Sequence, residues 1–421
     1  MADNNKSESL NVEQEQAPTK TKRTTTKSAA PKKAAKPKAA KKTVKATAAK
    51  VNENTTPADE QIDLPAESTE TPETKPVEQV KKSCSKGLAN WIVNNKTALA
   101  FTSYQSGRVY FIGADPEGRV SFHERVFQRA MGIVGNEQRI YMGGLYQVWR
   151  FENVLQQGQV ANKMFDKCYV PRNAQFTGEV DIHELGIQKD GTIIFVNTKY
   201  NCLAVPSVTH SFKAIWKPEF ISKLVPEDRC HLNGLAMVDG KAKYVTAVCK
   251  ADTIDGWRER RHDGGIIIDV ETNEIVCEGL SMPHSPRWAD GKLWVLNSGT
   301  GYLGYVDFKT KSFVPKIFCP GFARGLAIHG KYAVVGLSKP RYERFEGLDL
   351  DKNLSDKDSA AWCGVQIINL ETEVVEEWIR LDGPISELFD LTMLPNVRCP
   401  MAIGQQNKEN LTMLTFENAT A

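Results

Sequence analysis

A chain of 421 residues with 41% hydrophobic and 25% charged side chains is long enough to bury one large core or two small ones. No apolar run approaches the roughly 20 residues that span a bilayer, and the polar N-terminus carries no signal-type apolar segment, so a membrane or secreted protein is not expected and a cytoplasmic location is. The net charge of +3 is uneven: residues 1–87 carry +5 and the remainder −2.

In chain order, residues 1–87 come first. They are rich in Ala, Lys, Thr, Pro and Glu and hold no aromatic side chain. Such a segment cannot bury enough apolar surface to offset chain entropy, so a disordered tail is predicted. Its basic part, residues 20–50, has twelve Lys or Arg and no acid; residues 51–80 are acidic. The basic part is similar to linker-histone tails and would contact nucleic-acid phosphates without reading sequence. A plain solvated spacer is weighed ahead of that, and the lack of aromatics argues against single-strand stacking.

From Leu88 the composition changes. Short β-rich runs follow one another, Ala98–Thr102, Val109–Ile112 and Val120–Phe122, with a turn at Asp115-Pro-Glu-Gly118. Many short strands with regular turns indicate an all-β sandwich, barrel or propeller. Repetition decides among these. Six related phrases begin at Arg129, His183, His231, His284, Phe322 and Glu387, most holding a Gly-plus-apolar pair and many followed by a hairpin signal such as Asp239-Gly240 or Asp290-Gly291. The first four intervals are 54, 48, 53 and 38 residues; the last is 65 and holds a polar insertion near residues 340–361. Periods of this size mark the blades of a β-propeller. A six-bladed ring over residues 88–421 is predicted, closed by the C-terminal strand near Leu388–Leu394 completing a blade begun near Ala98. Met401-Ala-Ile403 and Leu411–Leu414 leave a seventh blade open. The nine scattered cysteines, without a C-x-x-C, fit reduced buried thiols.

The innermost strand of each blade lines the channel of a propeller, and the repeated phrase is the candidate for it. Its first position then forms a ring: Glu387, Arg129, His183, His231, His284 and Phe322. Strand alternation places Phe389, Met131, Leu185, Asn233, Pro286 and Arg324 on the same side two residues on. Three imidazoles converging from rigid strands suit a divalent transition metal such as Zn, Cu, Fe or Ni, with His183, His231 and His284 as ligands. Glu387 or Asp181 would orient a ligand or move a proton. Arg129, Arg287 and Arg324 would bind a carboxylate or phosphate, with Asn233 nearby and Trp257 and Arg258 on the rim. The blander alternative, histidines that merely cap strands, is weakened by three falling in register, because strand propensity favours no such residue there.

Several phrases carry a family resemblance: Ser103-Tyr-Gln-Ser-Gly107, Asp181-Ile-His183, Glu227-Asp-Arg-Cys-His-Leu-Asn-Gly-Leu235, Gly256-Trp-Arg-Glu259, Met282-Pro-His-Ser-Pro-Arg-Trp288 and Pro320-Gly-Phe-Ala-Arg-Gly-Leu326. In these the chain resembles the uncharacterised bacterial family known as domain of unknown function 4915, from about residue 90 to 395. The resemblance implies a propeller-like β fold and no established reaction. Asn233-Gly-Leu235 also resembles a phrase of the six-bladed gluconolactonase and senescence-marker proteins; this implies a divalent metal at Asn233, with His284 near their aspartate ligand. The expectation is a metal-dependent enzyme acting on a small molecule or peptide at the axis, by lactone or ester hydrolysis through metal-bound water or by metal-assisted oxidation. The alternative is a non-catalytic propeller scaffold whose basic tail contacts nucleic acid or an acidic surface, since the fold alone selects neither.

Overall fold

The computed structural model describes residues 80–417. The basic run 20–50, and all but the last residue of the acidic run 51–80, lie outside the described residues. Six sheets, antiparallel except for one outer strand, form six blades of a propeller. Blade 1 runs outward from Leu391–Pro395 through Thr97–Ser103 and Arg108–Ala114 to Val120–Val126. Blades 2 to 6 begin, at the axis, with Ile133–Gly135, Ile182–Ile187, Leu232–Val238, Pro283–Ala289 and Phe322–His329, and each continues outward in chain order.

Alternation along each strand explains why the sheets stack into a ring. In Lys292–Asn297 of blade 5, Leu293 and Val295 pack against blade 4, whereas Trp294 and Leu296 pack against blade 6. Every neighbouring pair of blades shares an apolar cluster of this kind, so the core is six inter-blade layers rather than one centre. The Asp-Gly hairpins turn as their sequence demands. Asp239 and Gly240 have φ of 51° and 74°, and Asp290 and Gly291 have 49° and 71°, which matches the twist of two-residue hairpins.

The ring closes as predicted. The C-terminal strand Leu391–Pro395 pairs antiparallel with Thr97–Ser103, so the two ends of the chain share blade 1. The segment proposed for a seventh blade does something else. Pro400–Ala402 adds to the outer edge of blade 2, parallel to Lys167–Phe176, and Leu411 ends a short 3-10 turn. Order also begins earlier than Leu88. Lys81–Cys84 pairs with Val374–Asp382 at the outer edge of blade 6, and Leu88–Asn95 forms a helix whose Leu88, Trp91 and Ile92 are buried at the seam of blades 6 and 1. Lys-Lys-Ser-Cys has neither alternation nor β-branched residues; an open sheet edge supplies its hydrogen bonds. All nine cysteines are free thiols, eight of them buried.

Candidate functional site

The six residues of the predicted ring, Glu387, Arg129, His183, His231, His284 and Phe322, all line one cavity of about 520 Å³ at a mouth of the axis. Arg324, Phe389 and Met131, from the second set, line it as well. Several residues on this rim have left-handed backbone: Arg129 (φ 55°), Asp181 (57°), His231 (49°) and Met282 (48°). Such conformations cost non-glycine residues about 1–3 kcal/mol and persist where the surroundings enforce them.

The backbone at two of these positions clamps a histidine. The carbonyl of Asp181 lies 3.1 Å from Nδ1 of His183, and the carbonyl of Met282 lies 2.8 Å from Nδ1 of His284. Each Nδ1 also meets a hydroxyl, Thr198 Oγ1 at 2.8 Å and Ser298 Oγ at 3.1 Å. Those hydroxyls donate their single proton across the blade seam, Thr198 to the Leu232 carbonyl and Ser298 to the Ala323 carbonyl, both at 2.6 Å. They can therefore only accept from the imidazole, so Nδ1 carries the proton in both rings. Burial holds both histidines well below the ordinary imidazole value, and the Arg324 guanidinium lowers them further. Both are neutral, with a bare lone pair on Nε2. His231 differs: its Nδ1 donates to Asp228 Oδ2 at 2.8 Å, an oxygen that also accepts Trp257 Nε1–H at 2.9 Å. Trp257 stacks on His231 at 4.2 Å, and the Arg258 guanidinium lies over the Trp257 ring, 4.6 Å from its centre. No described residue hydrogen-bonds Nε2 of His183, His231 or His284, and none of these atoms is sealed inside the protein.

Charge around the cavity is predominantly basic, with seven Arg or Lys against four acids in its lining. The acids at its wall are already engaged. Glu387 accepts from Tyr104 Oη at 2.7 Å and from Arg341 Nε at 3.0 and 3.1 Å. Burial, then the bond to Glu387, pushes the Tyr104 phenol up to about 12. Asp181 pairs with Arg129 at 2.9 Å, and Arg129 also holds Glu179 at 2.6 Å. Arg324 has no ion pair or side-chain hydrogen bond among the described residues. Its guanidinium lies 3.7 Å from the centre of the Phe389 ring, which His183 also packs against edge-on at 5.2 Å.

Two predicted binding residues are not at the cavity. Asn233 is buried on the innermost strand of blade 4, where its Oδ1 accepts from Thr246 Oγ1 on the next strand of the same sheet. Its position does not fit the metal-ligand role implied by the gluconolactonase resemblance. Arg287 lies deeper, paired with Glu184 and 3.9 Å from Asp390. Arg287 and Glu184 lie on the inner strands of blades 5 and 3, and Asp390 immediately precedes that of blade 1, so the three can meet only across the axis. At the Gly position of the repeat, Gly132 and Gly234 give room to the next inner strand; an added Cβ would come within 2.8 Å of the His183 carbonyl or 2.3 Å of Pro286. Arg287 and Asp390 replace glycine there and project into the channel instead. Burial raises Glu184, and burial followed by Glu184 raises Asp390 to about 8.

Sequence reasoning missed the lid. Tyr104, Asp228, Arg261, Arg341 and Phe345 also line the cavity. Most sit on the two long connections 248–264 of blade 4 and 339–363 of blade 6, which approach each other through His262 Nε2 and Asp349 Oδ1 at 3.3 Å. Phe345 stacks over Phe322, its ring centre 6.2 Å away. The polar insertion at 340–361 was the available signal: in a propeller, a single enlarged connection after the second strand reaches over the mouth where the first strand begins.

These buried groups set an expected pH profile of stability. His183, His284 and His123, the last lowered by burial to about 4, have folded pKa values below their unfolded ones. Their contribution is lost as pH falls below about 6.5, at about 1.4 kcal/mol per group and pH unit. Asp390 and Glu184 are raised, so their contribution is lost as pH rises above about 4, for Asp390 until about 8. Three histidines outweigh two carboxyls below pH 6.5, and the carboxyls alone act above it. Urea midpoints between pH 5 and 8.5 should peak near 6.5; a continuous rise to 8.5 would contradict the assignment.

Among the described residues, no group of three or more His, Cys, Asp or Glu is placed to hold a metal ion. The three imidazoles share a cavity without converging as one ligand set, and an unpaired guanidinium stands beside them.

No curated protein matches the chain. Among solved structures it is similar to a chain of the crystal structure of a nidogen/laminin complex, with 12% identity and a TM-score of 0.46, covering 72% of this chain and 100% of that one. The model of the family described as domain of unknown function (DUF4915) matches residues 86–403, and this six-bladed propeller belongs to that family.

Proposed function

We propose that the axial cavity binds a small organic anion, with Arg324 as its anchor. The observation that carries this reading is a guanidinium at the cavity wall with no acid partner among the described residues, lying over the Phe389 ring with further basic side chains lining the same cavity. An unpaired arginine in a partly desolvated site is a strong point for a carboxylate, which it can engage through two parallel N–H bonds. Aromatic support beneath the guanidinium fixes its plane before the ligand arrives and lowers the ordering cost of binding.

The test uses butyrate as a simple monocarboxylate probe. Wild-type protein should bind it by calorimetry, and Arg324→Gln should weaken binding by about tenfold to a hundredfold, the scale of a lost charge-assisted pair. A second readout is independent of any ligand. Removing the cation should raise the titration points of His183 and His284 in NMR, because Arg324 is the second cause of their depression. Equal butyrate affinity in both proteins would refute the anchor. Metal-dependent catalysis is the second reading, favoured by the three Nδ1 atoms being tied to acceptors, an arrangement that metal-ligating histidines use. Elemental analysis separates the two: stoichiometric transition metal in the wild type, lost in His231→Ala, would replace the anion reading.

A further inference from the structure

The anion site at Arg324 has neighbours that narrow the ligand further, and this inference rests on the reading of that site as an anion anchor. Two imidazoles beside the guanidinium are held in one tautomer from behind. His183 is clamped by the Asp181 carbonyl and Thr198, and His284 by the Met282 carbonyl and Ser298, with each hydroxyl proton committed to the next blade. Neither ring can turn its Nδ1–H toward the cavity without breaking two hydrogen bonds. Both therefore offer a fixed acceptor, Nε2, to whatever lies in the cavity.

A ligand that complements this wall has one negative end for Arg324 and donor groups beside it for the two Nε2 atoms. An ammonium donor is disfavoured, because it would lie close to Arg324 in a basic cavity. Hydroxyl donors are neutral and suit it. A dianionic phosphate would call on more cations at the inner wall, yet Arg129 and Arg341 are already paired with carboxylates, and Arg261, which has no ion pair among the described residues, sits on the connection 248–264 and not on an inner strand. We infer that the cavity takes a polyhydroxylated monocarboxylate, its carboxylate on Arg324 and its hydroxyl groups donating to Nε2 of His183 and His284. Simple fatty acids lack those donors and neutral polyols lack the charge.

Three four-carbon probes separate these terms: threonate carries charge and hydroxyls, butyrate the charge alone, and threitol the hydroxyls alone. Threonate should bind at least about tenfold more tightly than butyrate, the scale of two added neutral hydrogen bonds, and threitol should show no binding. In His284→Phe the preference for threonate over butyrate should shrink. Because that variant could fail to fold, nitrogen-15 histidine spectra of the wild type supply a second readout. Threonate should shift the unprotonated Nε2 signals of His183 and His284 toward hydrogen-bonded values, and butyrate should not. If threonate and butyrate bind equally and both are lost in Arg324→Gln, the hydroxyl inference fails and the anion anchor stands. If neither binds, the anchor and this inference fall together.

Discussion

A chain ending at Phe389 is expected to show no cooperative unfolding transition. The missing strand Leu391–Pro395 is the innermost strand of blade 1, paired with Thr97–Ser103 from Phe101↔Leu391 to Thr97↔Pro395. Its side chains serve two seams at once: Leu391 and Met393 pack between blades 6 and 1, and Leu394 packs between blades 1 and 2. Val397, Cys399, Met401 and Ile403 follow, each at most 5% exposed. At about 1.5–3 kcal/mol for each large apolar side chain, the lost burial rivals the 5–15 kcal/mol that stabilises a typical domain. The opened edge of Thr97–Ser103 would also be free to pair with another chain. A chain ending at Ile403 is the control. It keeps the closure and the outer strand Pro400–Ala402, and it loses a segment whose Leu411, Leu414 and Phe416 are largely exposed. Its midpoint in urea should stay close to that of the full chain. A sharp transition in the shorter chain would show that the ring holds without its closing strand.

The second large effect is expected at Arg287. Replacing it with alanine leaves Glu184 and Asp390 facing each other on the axis, 3% and 2% exposed at their side chains, with no cation between them. Removing one partner of a buried ion pair costs about 3–5 kcal/mol. The backbone bonds that Glu184 and Asp390 accept, from Leu235, Ile133 and Leu391, remain and keep the carboxyls in place. The loss should therefore depend on pH in a defined direction. Without Arg287 both carboxyls are raised further, so they are protonated in the folded state and the penalty is smallest near pH 5. It should grow toward pH 8.5, where the folded protein must either hold a proton against solvent or bury two charges. Denaturation of wild type and Arg287→Ala at both pH values measures this; a loss independent of pH would mean that packing, not charge, is what Arg287 supplies.

Much of this was legible in the residues. The spacing of the phrases from Arg129 to Glu387 was enough to count the blades, because each blade needs one hairpin pattern and one strand buried on both faces. Their first positions converge on a single cavity for the same reason: symmetry carries a repeat position to a common height. Asn233 and Arg287 were misplaced because alternation tells which side of a strand a residue occupies, but not how deep along the channel its side chain ends. The lid was missed because loops 248–264 and 339–363 have no counterpart in other blades, so no alignment could place them. Strand Lys81–Cys84 has no propensity of its own and exists through its partner. The tautomers of His183 and His284 depend on Thr198 and Ser298, whose hydroxyls reach the imidazoles only once the strands are paired.

The Glu184–Arg287–Asp390 bridge has a kinetic corollary. Glu184, Arg287 and Asp390 reach each other across the bore, so passage along it would have to part these groups, and the easier way in and out is the mouth that the imidazoles line. Pinning the doorway, for example by a disulfide engineered between the His262 and Asp349 positions, would slow arrival and escape by the same factor. Residence time would lengthen while the equilibrium constant stayed put, whereas a bore open at its far end would supply a second route for both entry and exit and blunt the slowing of both rates alike.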